Sequence, residues 1–336
     1  MSKIRVLVTG AYGNLGSTTV LKLFENPNAE ITCFGRESEN GIRMHKMLSK
    51  KGHFKTVWGD IRDREAVKEA VKGQDCIIHM AALLVPKTEE DPTLAHDVNV
   101  NGLKNIIDAA EQLDPKPRFI FTSSVACMGP ATPDLPPRVV TDPLIASNEY
   151  AKTKIEGEKV LRASNLPWVI LRISLSPPFE ASDYMLKYLF DIAIAQKVEF
   201  LDPRDAALAF ANAISVPDDE ILGKTMFLAG GEECRITQGE LLERQFAAIG
   251  IPMLPESAFF VPKSPDEWSF MHWMDTEESQ RILKYQTRTM DDYLQEYKKN
   301  FGFKRHFIKL IKNQAAKQLL KNSPYYVAQD DSPAGD

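Results

Sequence analysis

Short apolar runs alternate with amphipathic segments along the first half of the chain. The apolar runs predict buried strands at residues 4–8, 31–34, 54–58, 76–80, 119–122 and 168–171. Apolar residues at helical spacing predict helices at residues 17–25, 64–71, 98–112 and 150–163. Strands that alternate with helices form a parallel sheet with helices on both faces. The pattern therefore predicts the α/β class, with a doubly wound parallel sheet.

This regular alternation weakens after Pro177, where prolines become frequent. We expect residues 1–176 to form the sheet domain, which also carries the catalytic residues described below. Residues 177–297 then form a smaller mixed region that binds substrate and is interleaved with the sheet domain. We expect a basic amphipathic helix at residues 298–325 and a disordered end at residues 326–336.

Composition narrows the class of protein. The 336 residues have a formal net charge of -5, with 43% hydrophobic and 26% charged residues, which is ordinary for a soluble globular enzyme and gives no indication of nucleic-acid binding. We see no signal peptide and no apolar stretch of the ~18 residues that a spanning helix needs. Four widely spaced cysteines lack paired spacing, so we expect no metal and reduced thiols in a cytoplasmic protein. These are Cys33, Cys76, Cys127 and Cys234.

A glycine-rich turn follows the first predicted strand, and its glycines lie three residues apart before a predicted helix. Such a turn lets the backbone approach the pyrophosphate of a dinucleotide, while the helix N-terminus supplies free N–H groups. A purely structural strand–helix turn is the alternative. We predict a dinucleotide site formed by Gly10, Tyr12, Gly13, Asn14, Leu15 and Gly16.

The end of the second predicted strand indicates which dinucleotide binds. NAD sites place an acidic residue there, where it accepts a hydrogen bond from the ribose 2′-OH. This chain instead has Gly35 and Arg36, and a guanidinium can pair with a 2′-phosphate. The sequence therefore predicts NADP. NAD is the alternative, with Glu37 on the ribose and Arg36 in solvent.

Three polar residues form a candidate catalytic group. Ser123 and Ser124 end a predicted strand, and Tyr150 and Lys154 lie four apart, so they share one face of a helix. A lysine ammonium beside a phenol favours the phenolate and lowers the tyrosine pKa from ~10. Tyr150 is therefore a candidate acid or base at a hydroxyl oxygen. Ser124 would bind the same oxygen, and Lys154 could also reach the nicotinamide ribose.

In combination, these motifs resemble the extended short-chain dehydrogenase/reductase family. That family includes sugar-nucleotide epimerases and dehydratases, 3β-hydroxysteroid dehydrogenases and dihydroflavonol reductases. The resemblance runs from residue 4 to about residue 297. The matching segments are the glycine turn, Gly59-Asp-Ile61, His79-Met-Ala-Ala82, Asn99-Val-Asn-Gly102, Thr122-Ser-Ser124, Tyr150 with Lys154, Leu171-Arg172, residues 201–205, and Asp275 with Tyr285.

The resemblance implies a role for most of these residues. It implies a Rossmann domain that binds NAD(P) at residues 1–176, a triad of Ser124, Tyr150 and Lys154, and an asparagine, Asn99, that braces the active-site helix and its water. It also implies that Asp60 and Ile61 contact the adenine of the cofactor. The middle of the cofactor would be lined by Ala81, Ala82 and Leu83. Two alternatives stay open: Asp60 as a helix N-cap and Asn99 as a partner of buried backbone groups. For His79 we expect a packed strand-end residue rather than a catalyst.

Apolar residues near the strand ends indicate the chemical class of the substrate. Together with Ser124, we expect Leu84, Met128, Leu175 and Tyr184 to contact it, and apolar walls suit a ketone, secondary alcohol or aldehyde better than a diphosphate sugar. The sequence thus predicts an NADP(H)-dependent oxidoreductase with Tyr150 as acid or base. One alternative is an NAD-dependent sugar-nucleotide epimerase or dehydratase. Another, of a different class, is a catalytically silent cofactor-binding sensor or scaffold.

The end of the chain is strongly basic. Residues 298–329 contain eight lysines or arginines and no acidic residue, and apolar residues recur every four positions from Phe303 to Leu319. A basic amphipathic helix is typical of proteins that bind anionic membrane surfaces, so a peripheral membrane contact is one expectation. The alternative is a helix docked on its own domain or on a second subunit. The resemblance also implies a homodimer through the helices at residues 98–112 and 150–163.

Overall fold

The computed structural model describes residues 3–177 and 189–327, and these contain nine strands. The strands are β1 (Ile4–Thr9), β2 (Ala29–Gly35), β3 (Lys55–Trp58), β4 (Cys76–His79), β5 (Arg118–Ser124), β6 (Trp168–Ile173), β7 (Lys197–Glu199), β8 (Thr225–Leu228) and β9 (Arg235–Thr237). Seven form a parallel sheet of order β3-β2-β1-β4-β5-β6-β8, and β7 pairs with β9 in an antiparallel ribbon. The predicted doubly wound parallel sheet is confirmed.

The same part of the chain contains fourteen α-helices. They are α1 (Asn14–Leu23), α2 (Glu39–Ser49), α3 (Arg64–Val71), α4 (Lys87–Glu90), α5 (Pro92–His96), α6 (Gly102–Ala110), α7 (Glu149–Arg162), α8 (Pro203–Ala213), α9 (Asp218–Ile221), α10 (Gln238–Ile249), α11 (Glu277–Leu283), α12 (Met290–Phe301), α13 (Lys304–Leu310) and α14 (Lys312–Leu320). A π-helical turn, Asp97–Asn101, joins α5 to α6.

Both faces of the sheet are covered, which explains why its strands are apolar runs rather than alternating ones. Val6, Leu7 and Val8 of β1 are fully buried. Leu7 packs with residues of α3 and α6 on one face, while Val6 and Val8 pack with residues of α1 and α8 on the other. The apolar faces of the flanking helices therefore pack against the sheet.

The strand order creates a crevice at one edge of the sheet. The chain leaves β1 for β2 and β3, then returns to place β4 on the opposite side of β1. In open parallel sheets, ligands bind at the carboxyl ends of the strands where the winding direction reverses. The glycine turn after β1 and the segments after β4 and β5 all leave the sheet at this edge.

The second half of the chain contributes to two cores. Strand β8 and helix α8 join the first core, where Phe210 and Met226 pack in the same cluster as β1 and β2. The ribbon β7–β9 and helices α10 and α12 build a separate apolar cluster around Phe200, Phe246 and Tyr293. Strand β8 pairs with β6 and thereby covers an edge that the first 176 residues leave open.

The single helix expected at residues 298–325 is instead divided into three pieces. Helix α12 ends at Phe301, followed by Gly302 with a φ of 49°. Helices α13 and α14 are separated at Ile311. Glycine readily adopts a positive φ, so Gly302 allows the chain to change direction there. Lys298 and Lys299 consequently belong to α12 and not to the terminal segment.

Candidate active site

Two glycines of the turn after β1 have no room for a side chain. Gly10 has a φ of 68°, and a Cβ there would lie 2.8 Å from the backbone nitrogen of Ala81. A Cβ on Gly16 would lie 2.1 Å from the carbonyl oxygen of Gly10. Gly13 is the N-cap residue of α1, and no side chain caps that helix end. The first backbone N–H groups of α1 therefore face the crevice edge, where they fit an anionic pyrophosphate.

Tyr12 holds this turn against the neighbouring strands. Its ring lies directly over Gly35, where an added Cβ would come within 2.8 Å of it, and stacks on Trp58 at 4.8 Å between ring centroids. Its hydroxyl donates to Thr56 Oγ1 at 3.2 Å. The ring is almost completely buried, so Tyr12 shapes the predicted cofactor site by packing.

The residues expected near the adenosine lie at the ends of β2 and β3. Arg36 is exposed just beyond β2, and Ile61 is buried. Asp60 accepts two side-chain hydrogen bonds from Arg62, at 2.9 Å each. These bonds, and more weakly the charge of Arg36, lower the pKa of Asp60. Asp63 caps α3, so the alternative of Asp60 as the N-cap is wrong.

His79 ends β4 as a packed, neutral side chain. Thr9 Oγ1 accepts from two backbone N–H groups that follow β4 and so donates its own proton to His79 Nδ1, at 3.1 Å. That bond assigns the ring proton to Nε2, which is buried without a partner among the described residues. Burial lowers the pKa of His79 to about 3, so its position favours a packing role.

Asn99 joins the segment after β4 to α7, the helix that carries Tyr150 and Lys154. Its Oδ1 accepts from Leu83 N at 2.6 Å, and its Nδ2 donates to Leu83 O at 3.0 Å and to Thr153 Oγ1 at 3.0 Å. Thr153 Oγ1 donates in turn to Tyr150 O at 2.8 Å. These contacts agree with Asn99 as a partner of backbone groups, whereas a role with an active-site water stays a prediction. Asn99 satisfies buried backbone groups, and through them it positions Leu83, next to Ala81 and Ala82.

Glu89, which sequence reasoning missed, completes the N-terminus of α7. Asn148 caps the helix by accepting from Ala151 N at 2.8 Å. Glu89 accepts from Glu149 N at 3.0 Å and from Tyr150 N at 3.2 Å. A carboxylate is favoured at a helix N-terminus by its unpaired N–H groups and dipole. The contact fixes the backbone of Tyr150.

Lys154 lies buried beneath the end of β5. Its Nζ donates to Thr122 O at 2.8 Å and lies 5.0 Å from the centroid of the Phe121 ring and 5.7 Å from that of Tyr150. Burial lowers the pKa of Lys154 to about 8. Ser124 Oγ accepts from Ala126 N at 3.1 Å and keeps its own proton for donation. The fold thus brings the predicted triad to the end of one strand.

A buried ion pair behind the triad also escaped sequence reasoning. Glu158 follows Lys154 by one helical turn and accepts from Arg172 Nε and Nη2 at 2.8 Å each and from Ser123 Oγ at 2.6 Å. Burial would raise the pKa of Glu158, but the hydrogen bonds from Arg172 and Ser123 outweigh it and lower the pKa. The network ties α7 to β5 and β6. The sequence marked Arg172 only as part of a motif.

The four residues expected to form apolar walls have different environments. Leu84 is exposed, and Leu175 is half-buried against the second core. Met128 is fully buried among Val125, Phe227 and Met274, so its assignment to the substrate surface is corrected. Tyr184 lies outside the described residues. Ile145 is exposed beside the turn after β5 and adds apolar surface that was not predicted from the sequence.

Comparison with known proteins agrees with this geometry. The sequence model of the NAD dependent epimerase/dehydratase family matches residues 6–176, just over half of the chain. An uncharacterized epimerase/dehydratase of Staphylococcus saprophyticus is 33% identical over 159 residues, which is 46% of this chain and 46% of that protein. A 3-beta-hydroxysteroid dehydrogenase of Mycolicibacterium neoaurum is 30% identical over 207 residues, 59% of this chain and 54% of that protein.

The similarity of fold extends further than that of sequence. The chain spans about half the length of the curated relatives it matches. By contrast, a UDP-glucuronic acid 4-epimerase from Bacillus cereus, solved with UDP-glucuronic acid and NAD, aligns with 89% of this chain and 100% of its own. The TM-score is 0.75 at 18% identity, which shows a common fold. The chain belongs to the NAD-dependent epimerase/dehydratase family, a group of NAD(P)-binding enzymes of the extended short-chain dehydrogenase/reductase type.

Proposed function

We propose that the protein is an NADP(H)-dependent oxidoreductase that interconverts a secondary alcohol and a ketone, or an alcohol and an aldehyde. The observation that carries this proposal is the buried Lys154 ammonium beside the Tyr150 ring at the end of β5. Hydride transfer to or from carbon requires a proton to move at the attached oxygen. A phenol beside a cation is suited to that step near neutral pH.

Each member of the triad has a separate task. A nicotinamide cofactor, when bound, would supply or accept the hydride. Tyr150 exchanges its hydroxyl proton with the substrate oxygen, and Ser124 donates a hydrogen bond to that oxygen. Lys154, whose pKa of about 8 leaves it charged at neutral pH, stabilises the tyrosinate that remains after proton donation. Its bond to Thr122 O keeps the ammonium in place.

The choice of NADP rests on the charges beyond β2. The strand ends in Gly35 and the exposed Arg36, so the position that is acidic in NAD sites carries no carboxylate. Asp60 is already engaged by Arg62. The guanidinium of Arg36 is therefore available for a 2′-phosphate. NAD is the alternative cofactor, because Glu37 is also exposed and could accept from a ribose hydroxyl.

We infer an apolar substrate from the surface near the triad. Leu84 is 58% exposed just after the segment that Asn99 holds, and the isoleucine at position 145 is 53% exposed. Both are large apolar side chains, and apolar lining favours a largely apolar ligand. The similarity to a 3-beta-hydroxysteroid dehydrogenase supports the same class of chemistry.

The second candidate is an NAD-dependent sugar-nucleotide epimerase or dehydratase. The family description and the epimerase of the same fold favour it. Such an enzyme would oxidise its substrate to a keto intermediate and then reduce that intermediate with the same cofactor, so the cofactor need not be released. A silent sensor or scaffold is less well supported, because the triad is complete.

Cofactor analysis separates the two enzymatic readings. Purified protein is denatured, any released nucleotide is identified, and the emptied protein is titrated with NADPH and NADH. We expect a preference for NADPH that Arg36→Ala reduces at least about tenfold, while Arg281→Ala, a remote exposed arginine on α11, leaves it unchanged. Tightly held NAD would favour the epimerase reading, whereas selectivity unchanged in Arg36→Ala would contradict the role of Arg36 in binding a 2′-phosphate.

Turnover tests the catalytic assignment itself. Tyr150→Phe should lower kcat by about 10²–10⁴, whereas Tyr325→Phe, an exposed tyrosine on the second half of the chain, should not. Retained activity in Tyr150→Phe would contradict either enzymatic scheme. Wild-type protein that binds NADPH but turns over nothing in a broad ketone panel would support the silent sensor instead.

A further inference from the structure

Residues 302–327, which we name the arm, carry an exposed apolar stripe. Phe303 is 84% exposed, Phe307 69%, Leu310 81% and Ile311 51%. Phe307 and Leu310 lie in α13, and Phe303 and Ile311 are the residues directly before and after it. Their spacing of four, three and one residues places all four on one face of the helix. Large apolar side chains grouped in this way mark a contact surface rather than random exposure.

The opposite side of the arm is docked on the protein. A second set of apolar side chains packs against the second core, and the backbone around α13 lies close to Gly250 at the end of α10. Ser323 Oγ donates to Ala258 O, and Tyr325 Oη donates to Asp191 Oδ1 at 3.0 Å. The docked side chains are Ile308, Ala315, Ala316, Leu319 and Leu320. Because both faces are apolar, burying the stripe would expose the docked set.

The charges around the stripe all have the same sign. The arm contains six lysines or arginines and no acidic residue, whereas the whole chain has a formal net charge of -5. Lys304 and Arg305 lie between Phe303 and Phe307, and Lys312 follows Ile311 directly. Across the described residues, none of the six arm cations forms a salt bridge with a carboxylate. The arm therefore offers free positive charge beside exposed apolar surface.

We propose that the arm binds the surface of an anionic lipid bilayer. The stripe enters the interfacial plane, and the flanking cations bind the headgroups. No helix in the described ranges combines the length and the apolar character that crossing a bilayer requires. A second copy of this chain fits less well, because pairing two stripes symmetrically would bring like charges together. This proposal is independent of the proposed function, since it involves none of the active-site residues.

Sedimentation with vesicles tests the proposal on the full-length protein. Vesicles of phosphatidylcholine with about 30% phosphatidylserine are compared with phosphatidylcholine alone, at low and at high salt. We expect sedimentation with the anionic vesicles only, weakened by salt. The double variant Phe303→Ser/Phe307→Ser should lower the partition coefficient at least about tenfold, because two apolar side chains no longer insert.

Matched controls separate insertion from general surface changes. Lys304→Glu/Lys312→Glu should also lower partitioning at least about tenfold, since each headgroup contact contributes about fivefold. Lys50→Glu/Lys51→Glu changes net charge equally at the exposed end of α2 and should bind like wild type, as should Ile42→Ser. Circular dichroism confirms the fold of each variant.

Three results would overturn the proposal. One is no sedimentation with anionic vesicles, and another is equal sedimentation of wild type and the Phe303→Ser/Phe307→Ser variant. The third is a dimer in analytical ultracentrifugation that this variant converts to monomer without any vesicle binding by wild type. That outcome would assign the stripe to a second copy of the chain.

Discussion

The carboxyl edge of the sheet buries charged side chains, whereas the arm exposes apolar ones. Both are the reverse of what is usual in a folded protein. At the sheet edge, Lys154, Glu158 and Arg172 are at most 3% exposed although each is ionisable. In the arm, Phe303 and Phe307 are mostly exposed although each is apolar. Buried charge is costly unless it is paired, and clustered apolar exposure is unfavourable unless it is used.

The difference lies in whether each unusual group has a partner within the chain. The buried charges at the sheet edge are hydrogen-bonded to each other or to backbone, which holds α7 against β5 and β6. The apolar stripe of the arm has no comparable cover among the described residues. Removing a partner should therefore destabilise the sheet edge strongly, while removing a stripe residue should leave the stability of the folded chain almost unchanged.

The largest expected effect comes from Glu158→Ala. It leaves the Arg172 guanidinium buried without its carboxylate, so the free energy of unfolding should fall by about 3–5 kcal/mol in urea titration. The control is Glu156→Ala, on the same helix but exposed, which should change it by less than about 1 kcal/mol. If the two variants unfold alike, the network does not hold the sheet edge together.

A smaller effect is expected from Asn99→Ala. The backbone N–H and C=O of Leu83 and the hydroxyl of Thr153 each lose a partner, which costs about 1–3 kcal/mol for a buried unsatisfied group. Because Leu83 and Tyr150 are both connected to Asn99, kcat should also fall at temperatures well below unfolding. Asn101→Ala, an exposed neighbour on the same π-helical turn, should preserve both quantities. Full activity in Asn99→Ala would contradict a positioning role.

The next effect depends on pH and comes from His79. Its folded pKa of about 3 lies below the ordinary value of 6.5, so between these values only the unfolded chain binds the proton. Stability should therefore fall as pH decreases through this range, by at most about 1.4 kcal/mol per pH unit. The His79→Leu variant should show a shallower pH dependence in urea titrations than wild type. His53→Leu, at an exposed histidine, serves as control. Equal slopes for His79→Leu and wild type would show that His79 is not buried in solution.

Much of the sheet could be predicted from local pattern. The six predicted strands overlap β1 to β6, and the helix predicted at residues 64–71 coincides with α3. The core strands are apolar runs covered on both faces of the sheet, and the helix has its apolar positions on the one face that it packs against the sheet. Strand β8 was not predicted, because it lies after Pro177, where the regular alternation of strands and helices is lost, and its partner β6 lies far away in sequence.

The site divides in the same way. The glycine turn, Tyr150 and Lys154 have fixed short spacings and could be read from the chain. Glu89 could not, because the N–H groups that it binds lie about sixty residues further on. Met128 was misassigned because a position after a strand end does not show which side of the turn a side chain occupies. Its side chain turns into a closed cluster.

The smallest expected effect concerns the stripe. Phe303→Ser/Phe307→Ser should change the free energy of unfolding by no more than about 0.5 kcal/mol, because solvent already surrounds both rings. Ala316→Asp, on the docked side of α14, should lower it by about 2 kcal/mol or more, since it buries a charge. Urea titration without lipid measures both. If the double variant is the less stable one, the stripe is covered by the protein's own chain and the contrast between the two regions fails.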